Sequence, residues 1–146
     1  MRVFYVLLLI LWGSSLHAQA SWPNLDQLLG SALAPGAQFE RSFWLPDSVD
    51  PAQAQQAIGV VYPIIQGAAG NTGIAVGHFV RVQGGGWGLA GVVGNLFGFD
   101  PRDAVFSPGA VQLTTTMLGP NEPRCCPTLP VRWRIDLGTF QAQRLN

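Results

Sequence analysis

Apolar and polar residues alternate with a period of two along much of the second half of this 146-residue chain. Because a β-strand places successive side chains on opposite faces, this alternation predicts strands with one face in a core. The clearest case is "VRWRIDL", in which Val131, Trp133 and Ile135 fall on one face and charged residues on the other. The pattern restricts this half of the chain to antiparallel sheet.

Four further strands complete the predicted sheet. Residues 74–93 have the pattern of a β-hairpin, with "GIAVGHFVRVQ" and "WGLAGVVGNLFGF" joined through three glycines. The β-branched run "VQLTTTML" predicts a third strand. The strand "VRWRIDL" described above is then the fourth, and "FQAQRL" is predicted to be a short fifth. The segment "DPRDAVFSPGA" carries turn residues and is predicted to be a loop.

Two short helices are predicted in the first half of the chain. Residues 21–34 have apolar residues at helical spacing, with Asn24 or Ser21 as the capping residue. Residues 35–50 are a link, and Asp50 followed by Pro51 then predicts a second helix that continues to Gly59. The next segment, "VVYPIIQ", is either the end of that helix or a short strand. Helices followed by strands predict an α+β fold, with the two helices packed on a curved antiparallel sheet of four to five strands.

The first twenty residues have the pattern of a secretory signal peptide. Arg2 precedes an apolar run of ten residues, and Ala18-Gln19-Ala20 is a cleavage signal. We predict cleavage after Ala20, which leaves residues 21–146 as a single small domain in the periplasm or outside the cell. Since no later stretch is long and apolar enough to span a bilayer, we expect no integral membrane segment after cleavage.

The charge distribution argues against a nucleic-acid partner. Without Arg2 the chain has seven basic and eight acidic side chains, a net charge of −1, and like charges do not cluster. A nucleic-acid-binding domain needs a basic patch, which this sequence lacks.

Cys125 and Cys126 are the only cysteines of the chain and are adjacent. Consecutive Cα atoms lie about 3.8 Å apart across a trans peptide, whereas an unstrained disulfide has Cα atoms roughly 4.4–6.8 Å apart. A bond between them closes almost no loop and therefore does little to constrain the unfolded chain. Three interpretations remain: a vicinal disulfide that fixes a rigid turn before the fourth strand, a redox or metal-responsive pair, or two packed thiols.

We favour the vicinal disulfide as a structural turn. An oxidising compartment disfavours free thiols, and a redox pair usually has the spacing C-x-x-C. Two adjacent thiols and one histidine fall short of a zinc ligand set, so we predict no metal and no cofactor.

His78 is the only histidine after the predicted cleavage site, and it shares a strand face with Val76 and Val80. A general base or metal ligand is one interpretation, and a half-buried histidine with a satisfied hydrogen bond is the other. We favour the second, because no G-x-S-x-G or H-E-x-x-H motif accompanies His78. "GWGLAG" matches G-x-G-x-x-G but lies in a hairpin, where glycines serve turns and twist. We assign no catalytic residue, and the sequence favours a non-enzymatic role without deciding it.

Several aromatic residues lie in glycine-rich surroundings that favour partial exposure. Trp87 follows three glycines, and Phe97 and Phe99 flank Gly98. Exposed aromatic side chains in a protein of low charge can mark a site for a partner or glycan, although core packing is the default. We therefore predict a possible binding surface of Trp87, Phe97, Phe99 and His78.

The segment "EPRCCPTLPVRWRID" resembles the C-terminal signature of bacterial LppP/LprE-type envelope proteins, which are lipoproteins and secreted relatives. The resemblance covers roughly residues 110–137 and depends on the double cysteine with its trailing proline. It implies a bacterial cell-envelope setting and no particular activity. The chain lacks the lipid-acceptor cysteine that would follow the signal peptide.

These observations predict an exported envelope domain with a binding or structural role, in which the Cys125–Cys126 turn is a rigid element. Its partner would be an envelope protein or a small ligand. The alternative is an envelope protein that responds to thiol–disulfide exchange through Cys125 and Cys126.

Overall fold

The computed structural model describes residues 20–68 and 72–146. The predicted signal peptide lies outside these residues, apart from Ala20. Within them the chain forms one helix and eight strands: α1 (Leu25–Leu33), β1 (Phe39–Pro46), β2 (Gln56–Pro63), β3 (Ala75–Arg81), β4 (Trp87–Val93), β5 (Phe99–Ser107), β6 (Ala110–Met117), β7 (Leu129–Asp136) and β8 (Gln141–Arg144).

The strands form two antiparallel sheets of four strands, β1-β2-β3-β4 and β5-β6-β7-β8, each with its strands in chain order. The sheets also meet along their edges. Beyond the end of β4, the Gly94 N–H donates to the Phe140 carbonyl at 2.8 Å, and the Ala142 N–H of β8 donates to the Gly94 carbonyl at 2.9 Å. On the opposite side β1 contacts β5. The fold is therefore a two-layer β-sandwich whose sheets are in contact at both edges.

The main core lies between the two sheets. It contains one group of buried side chains from the first sheet and its following loop, and another from the second: Ile58, Val60, Tyr62, Val76, Val93 and Leu96, with Val111, Leu113, Val131, Trp133, Ile135 and Ala142. The alternation in "VRWRIDL" is confirmed, because alternate residues of β7 are buried and the residues between them are exposed.

The helix covers the outer face of the first sheet. Leu29 of α1 and Phe79 of β3 are fully buried there, over Gly59 of β2. A side chain at Gly59 would overlap Leu29 Cδ2 and lie 2.8 Å from Phe79 Cε2. The central strands β2 and β3 are thus buried on both faces.

The α+β prediction of two helices on one sheet of four to five strands is wrong. The first helix is correct, and the Asn24 side chain caps it by accepting from the Gln27 N–H at 3.1 Å. The second is a single turn, in which the Asp50 carbonyl accepts from the N–H groups of Gln53 and Ala54. The chain then enters β2, which lacks period-two alternation because both of its faces are buried.

Besides β2, two strands were not predicted. The link 35–50 contains β1, and the predicted loop "DPRDAVFSPGA" contains most of β5. The turn-forming residues of "DPRDAVFSPGA" make β5 an irregular edge strand. Asp100 and Asp103 have φ of 48° and 55°, and the register of β5 with β6 shifts twice. The hairpin β3–β4 and the strands β6, β7 and β8 agree with the prediction.

Across residues 20–68 and 72–146, no helix has the length and apolar character needed to cross a membrane.

Candidate functional site

The loop between β6 and β7 carries a vicinal disulfide between Cys125 and Cys126, as predicted. The Cys126 N–H donates to the Pro123 carbonyl at 3.1 Å, which closes a turn around the pair. Both cysteines are exposed, and β7 begins three residues after Cys126. The disulfide is therefore a surface element at the entry to a core strand.

Glu122 ties the two ends of this loop together. Its carboxylate accepts hydrogen bonds from the N–H groups of Gly119 and Thr128, each at 2.9 Å, and from the Thr128 hydroxyl. The hydrogen bond from the Thr128 side chain and those from the two N–H groups lower the pKa of Glu122. Glu122 was not predicted as a site residue, although a lone acid in a proline-rich loop is a signal for a side chain that accepts hydrogen bonds from the loop.

The disulfide lines a cleft of about 420 Å³, which we call the disulfide cleft. The cleft lies where β1 and β5 meet, and residues of both strands line it. Phe43, Tyr62 and Phe99 form an aromatic group in the cleft. The rings of Tyr62 and Phe99 are stacked with centroids 5.7 Å apart, and Phe43 meets Tyr62 edge-on at 6.0 Å.

Tyr62 is the buried member of this aromatic group. Its hydroxyl donates to the Gly98 carbonyl at 2.9 Å, and only 4% of the residue is exposed. Burial, and to a lesser degree the negative charge of Asp100, raise the pKa of Tyr62 well above its ordinary value of 10.0. The phenol therefore stays neutral and acts as a hydrogen-bond donor.

Two acidic and two basic side chains also line the disulfide cleft: Glu40, Arg41, Asp100 and Arg124. Arg41 Nη1 lies 3.8 Å from Asp100 Oδ1, and both side chains are largely exposed. The charges cancel, so the cleft offers carboxylate acceptors and guanidinium donors beside apolar rings without a net charge.

A smaller hollow of about 330 Å³ adjoins the disulfide cleft and shares Tyr62, Thr72 and Phe99 with it. Phe97 lines this hollow as well. Phe97 and Phe99 are 52% and 49% exposed, in agreement with the partial exposure expected from their glycine-rich surroundings.

A hydrogen-bond relay through the buried Thr115 side chain positions the segment that carries Phe97 and Phe99. Trp133 Nε1 donates to Thr115 Oγ1 at 2.8 Å, and the Thr115 hydroxyl donates to the Phe97 carbonyl at 2.8 Å. Gly98 has φ +101°, and a Cβ there would lie 2.9 Å from Thr115 Cβ. Only glycine fits this close approach without strain.

The other two residues of the predicted binding surface do not line the disulfide cleft or the hollow beside it. Trp87 packs on the helix side of the first sheet, where its ring meets Trp44 edge-on at 4.9 Å and the Arg81 guanidinium lies 4.5 Å from the ring centroid. His78 is buried, and its Nε2 lies 3.0 Å from Gln56 Oε1. Burial lowers the pKa of His78, which favours the neutral ring.

In the part of the chain that the structure describes, no three His, Cys, Asp or Glu side chains are grouped so that they could hold a metal ion. The fold and the cleft define a small β-sandwich domain with a surface cleft that is partly walled by a vicinal disulfide. No protein-family model, curated protein or solved structure matches this chain.

Proposed function

We propose that the protein is an exported, non-enzymatic binding domain of the cell envelope, with its ligand in the disulfide cleft. One observation carries this proposal: Cys125–Cys126 and the Tyr62–Phe99 stack line the same cleft. Ligand sites are typically concave, with apolar walls and a few polar groups that orient the ligand.

Rigid walls support a binding role. Glu122 holds the disulfide loop from both ends, and the Thr115 hydroxyl holds the carbonyl of Phe97. A site whose walls are already ordered loses less conformational entropy when it binds. In this proposal the vicinal disulfide adds a short, stiff element to one wall.

The chemistry of the cleft favours binding over catalysis. Its described carboxylates, Glu40 and Asp100, are exposed, and His78 lies elsewhere with a hydrogen-bond partner. Acid–base and nucleophilic catalysis generally need a base within hydrogen-bond reach of the group that it activates, and the described lining of the cleft contains no histidine.

Export is proposed from the N-terminal sequence and from the cysteine chemistry. Residues 1–20 have the pattern of a signal peptide, and disulfides persist mainly in oxidising compartments. The resemblance to LppP/LprE-type proteins supports a bacterial envelope.

Mapping with a small probe tests the binding proposal. Phenol is titrated into ¹⁵N-labelled protein obtained by expression with its own N-terminal segment, and amide shifts are followed by NMR. We expect saturable shifts at Phe99, Arg124 and Cys126, and their loss in the double variant Cys125→Ser/Cys126→Ser. Saturable shifts confined to another surface would refute the disulfide cleft as a binding site, and so would the absence of shifts both from phenol and from neutral sugars.

The second candidate function is a response to thiol–disulfide exchange, which the exposure of both cysteines favours. A protein dithiol would reduce the pair, giving two thiols on this chain and a disulfide on the donor. Equilibration in dithiothreitol redox buffers measures the reduction potential. A value above about −300 mV supports the redox role, and a lower value supports a structural disulfide.

A further inference from the structure

We infer that the ligand of the disulfide cleft is a neutral saccharide of one or two rings. This inference rests on the proposed function, because it names the ligand class of the same cleft. The size of the cleft, its apolar surfaces and the balance of its charges support a saccharide.

The size fits a short ligand. The cleft of about 420 Å³ lies near the small end of the range of roughly 300–1,000 Å³ for small-molecule sites. The adjoining hollow of about 330 Å³ shares Phe99 with it. Two neighbouring hollows with a common aromatic residue suit two linked rings, one beside the disulfide and one beside Phe97.

The apolar surfaces suit the C–H face of a sugar ring. Phe99 is half-exposed and supported by its stack on Tyr62, so its ring is accessible and held in place. An aromatic face carries a partial negative charge that attracts the polarised C–H groups of a pyranose. The disulfide and Pro127 add a second weakly polar surface to the same cleft.

The charged groups suit hydroxyls. A hydroxyl both donates and accepts, so it can donate to the carboxylate of Glu40 or Asp100 and accept from the guanidinium of Arg41 or Arg124. Hydrogen bonds with one charged partner are about twice as strong as neutral ones. A vicinal diol also matches the two-pronged geometry of either group.

The same four charges disfavour other ligand classes. A phosphate or sulfate would meet two carboxylates, and a simple cation would meet two guanidinium groups. A purely apolar ligand would remove exposed charges from water without a new partner, which is unfavourable. A neutral, polyhydroxylated ring satisfies both signs and also covers the aromatic surface.

The test uses ¹⁵N-labelled protein and a fixed set of probes: glucose, galactose, mannose, N-acetylglucosamine, cellobiose and chitobiose. Sorbitol, the open-chain alcohol obtained by reducing glucose, is the control ligand, because it presents hydroxyls without a ring face. We expect at least one ring sugar to give saturable shifts at Phe99, Arg124 and Cys126, and sorbitol to give none.

Two variants of the cleft are compared with one control. Phe99→Leu removes the aromatic face, and Asp100→Asn removes one charged acceptor; each is expected to weaken binding of the sugar at least tenfold. Val105→Ala lies on the same strand and is 64% exposed, and it should bind as the unchanged protein does. If Phe99→Leu loses its native spectrum, Arg124→Gln in the loop replaces it, with the same tenfold loss expected.

Each result has one meaning. Shifts from phenol without shifts from any of the six sugars would overturn the saccharide inference and leave the binding cleft intact. Shifts from sorbitol equal to those of the ring sugar that binds would also overturn it, because stacking would then contribute nothing. Absence of shifts from phenol and from all sugars would refute the binding proposal itself.

Discussion

Trp133 donates a hydrogen bond to Thr115 inside the core, and the Thr115 hydroxyl in turn donates a hydrogen bond to the Phe97 carbonyl. The two bonds, each 2.8 Å long, join the centre of β7 through β6 to the segment beside the cleft. Thr115 is fully buried, and its bond from Trp133 is buried as well, whereas the bond to the Phe97 carbonyl is partly buried. The core strand and the candidate ligand surface therefore share one polar connection.

Thr115→Val keeps the shape of the side chain but removes both hydrogen bonds. The buried indole N–H and the partly buried Phe97 carbonyl then lose their partner, and an unsatisfied buried group costs about 1–3 kcal/mol. We expect the free energy of unfolding in urea to fall by about 2 kcal/mol or more. Thr114→Val, on the opposite face of β6, is the control and should change it by less than about 0.5 kcal/mol. Equal effects of the two variants would contradict the relay.

Gly98→Ala tests the close approach of the Phe97–Phe99 segment to β6. An added Cβ meets strain at φ +101° and also the Thr115 side chain and the Thr116 carbonyl. Gly84→Ala is the matched control, since Gly84 has φ +96° but open space around its Cα. Backbone strain alone costs of order 1–3 kcal/mol, so Gly98→Ala should cost at least about 1 kcal/mol more than its control in the same urea assay. Equal destabilisation by Gly98→Ala and Gly84→Ala would show that the Phe97–Phe99 segment moves to make room for the added Cβ at no cost.

Glu122→Gln should loosen the disulfide loop in a pH-dependent way. The hydrogen bonds that Glu122 accepts lower its pKa in the folded protein, so its contribution to stability is present above the ordinary value of 4.5 and is lost as the pH falls through the lower folded value. The Tm difference between the unchanged protein and Glu122→Gln should therefore be largest near neutral pH and shrink in acid below pH 4.5.

Hydrogen exchange gives the local readout of the same variant. The N–H groups of Gly119 and Thr128 donate hydrogen bonds to Glu122, so they should exchange faster in Glu122→Gln. Glu40→Gln is the control and should leave their exchange rates unchanged. A Tm difference that stays constant from pH 7 to pH 3, with unchanged exchange, would show that the carboxylate does not hold the loop.

The disulfide itself should contribute little to global stability. Its two cysteines are adjacent, and a cross-link stabilises mainly in proportion to the loop that it closes. We expect Cys125→Ser/Cys126→Ser to lower the free energy of unfolding in urea by less than about 1 kcal/mol, against the 2–4 kcal/mol of a typical disulfide. A larger fall in the free energy of unfolding would mean that the disulfide stabilises the whole fold rather than only shaping the cleft.

Half-buried strands were predictable because their faces differ. The β7 strand alternates strictly, because only one of its faces is buried. The β3–β4 hairpin was found from its glycine turn, although β3 is buried on both faces. The β2 strand was not found from sequence. Its two faces are covered by α1 and by the second sheet, so apolar and polar residues do not alternate along "AIGVVY". Gly59 and its β-branched neighbours were the available signal against a helix.

The site was only partly predictable for a related reason. The cysteine pair and Phe99 stood out by residue type and spacing, and the structure brings them to the same cleft. Arg41 and Asp100 come from strands that are distant in sequence and meet only where the two sheets touch. Local patterns carry no information on such contacts, so the polar half of the cleft could not be read from the sequence.

The measurement that tests the account most directly is the mass of the intact protein after expression with its own N-terminal segment and alkylation without reductant. We predict a chain that begins at Ser21, carries no alkyl group and is two hydrogens lighter than the reduced form. A chain with two added alkyl groups would contradict the disulfide wall of the cleft, and a chain that still begins at Met1 would contradict export.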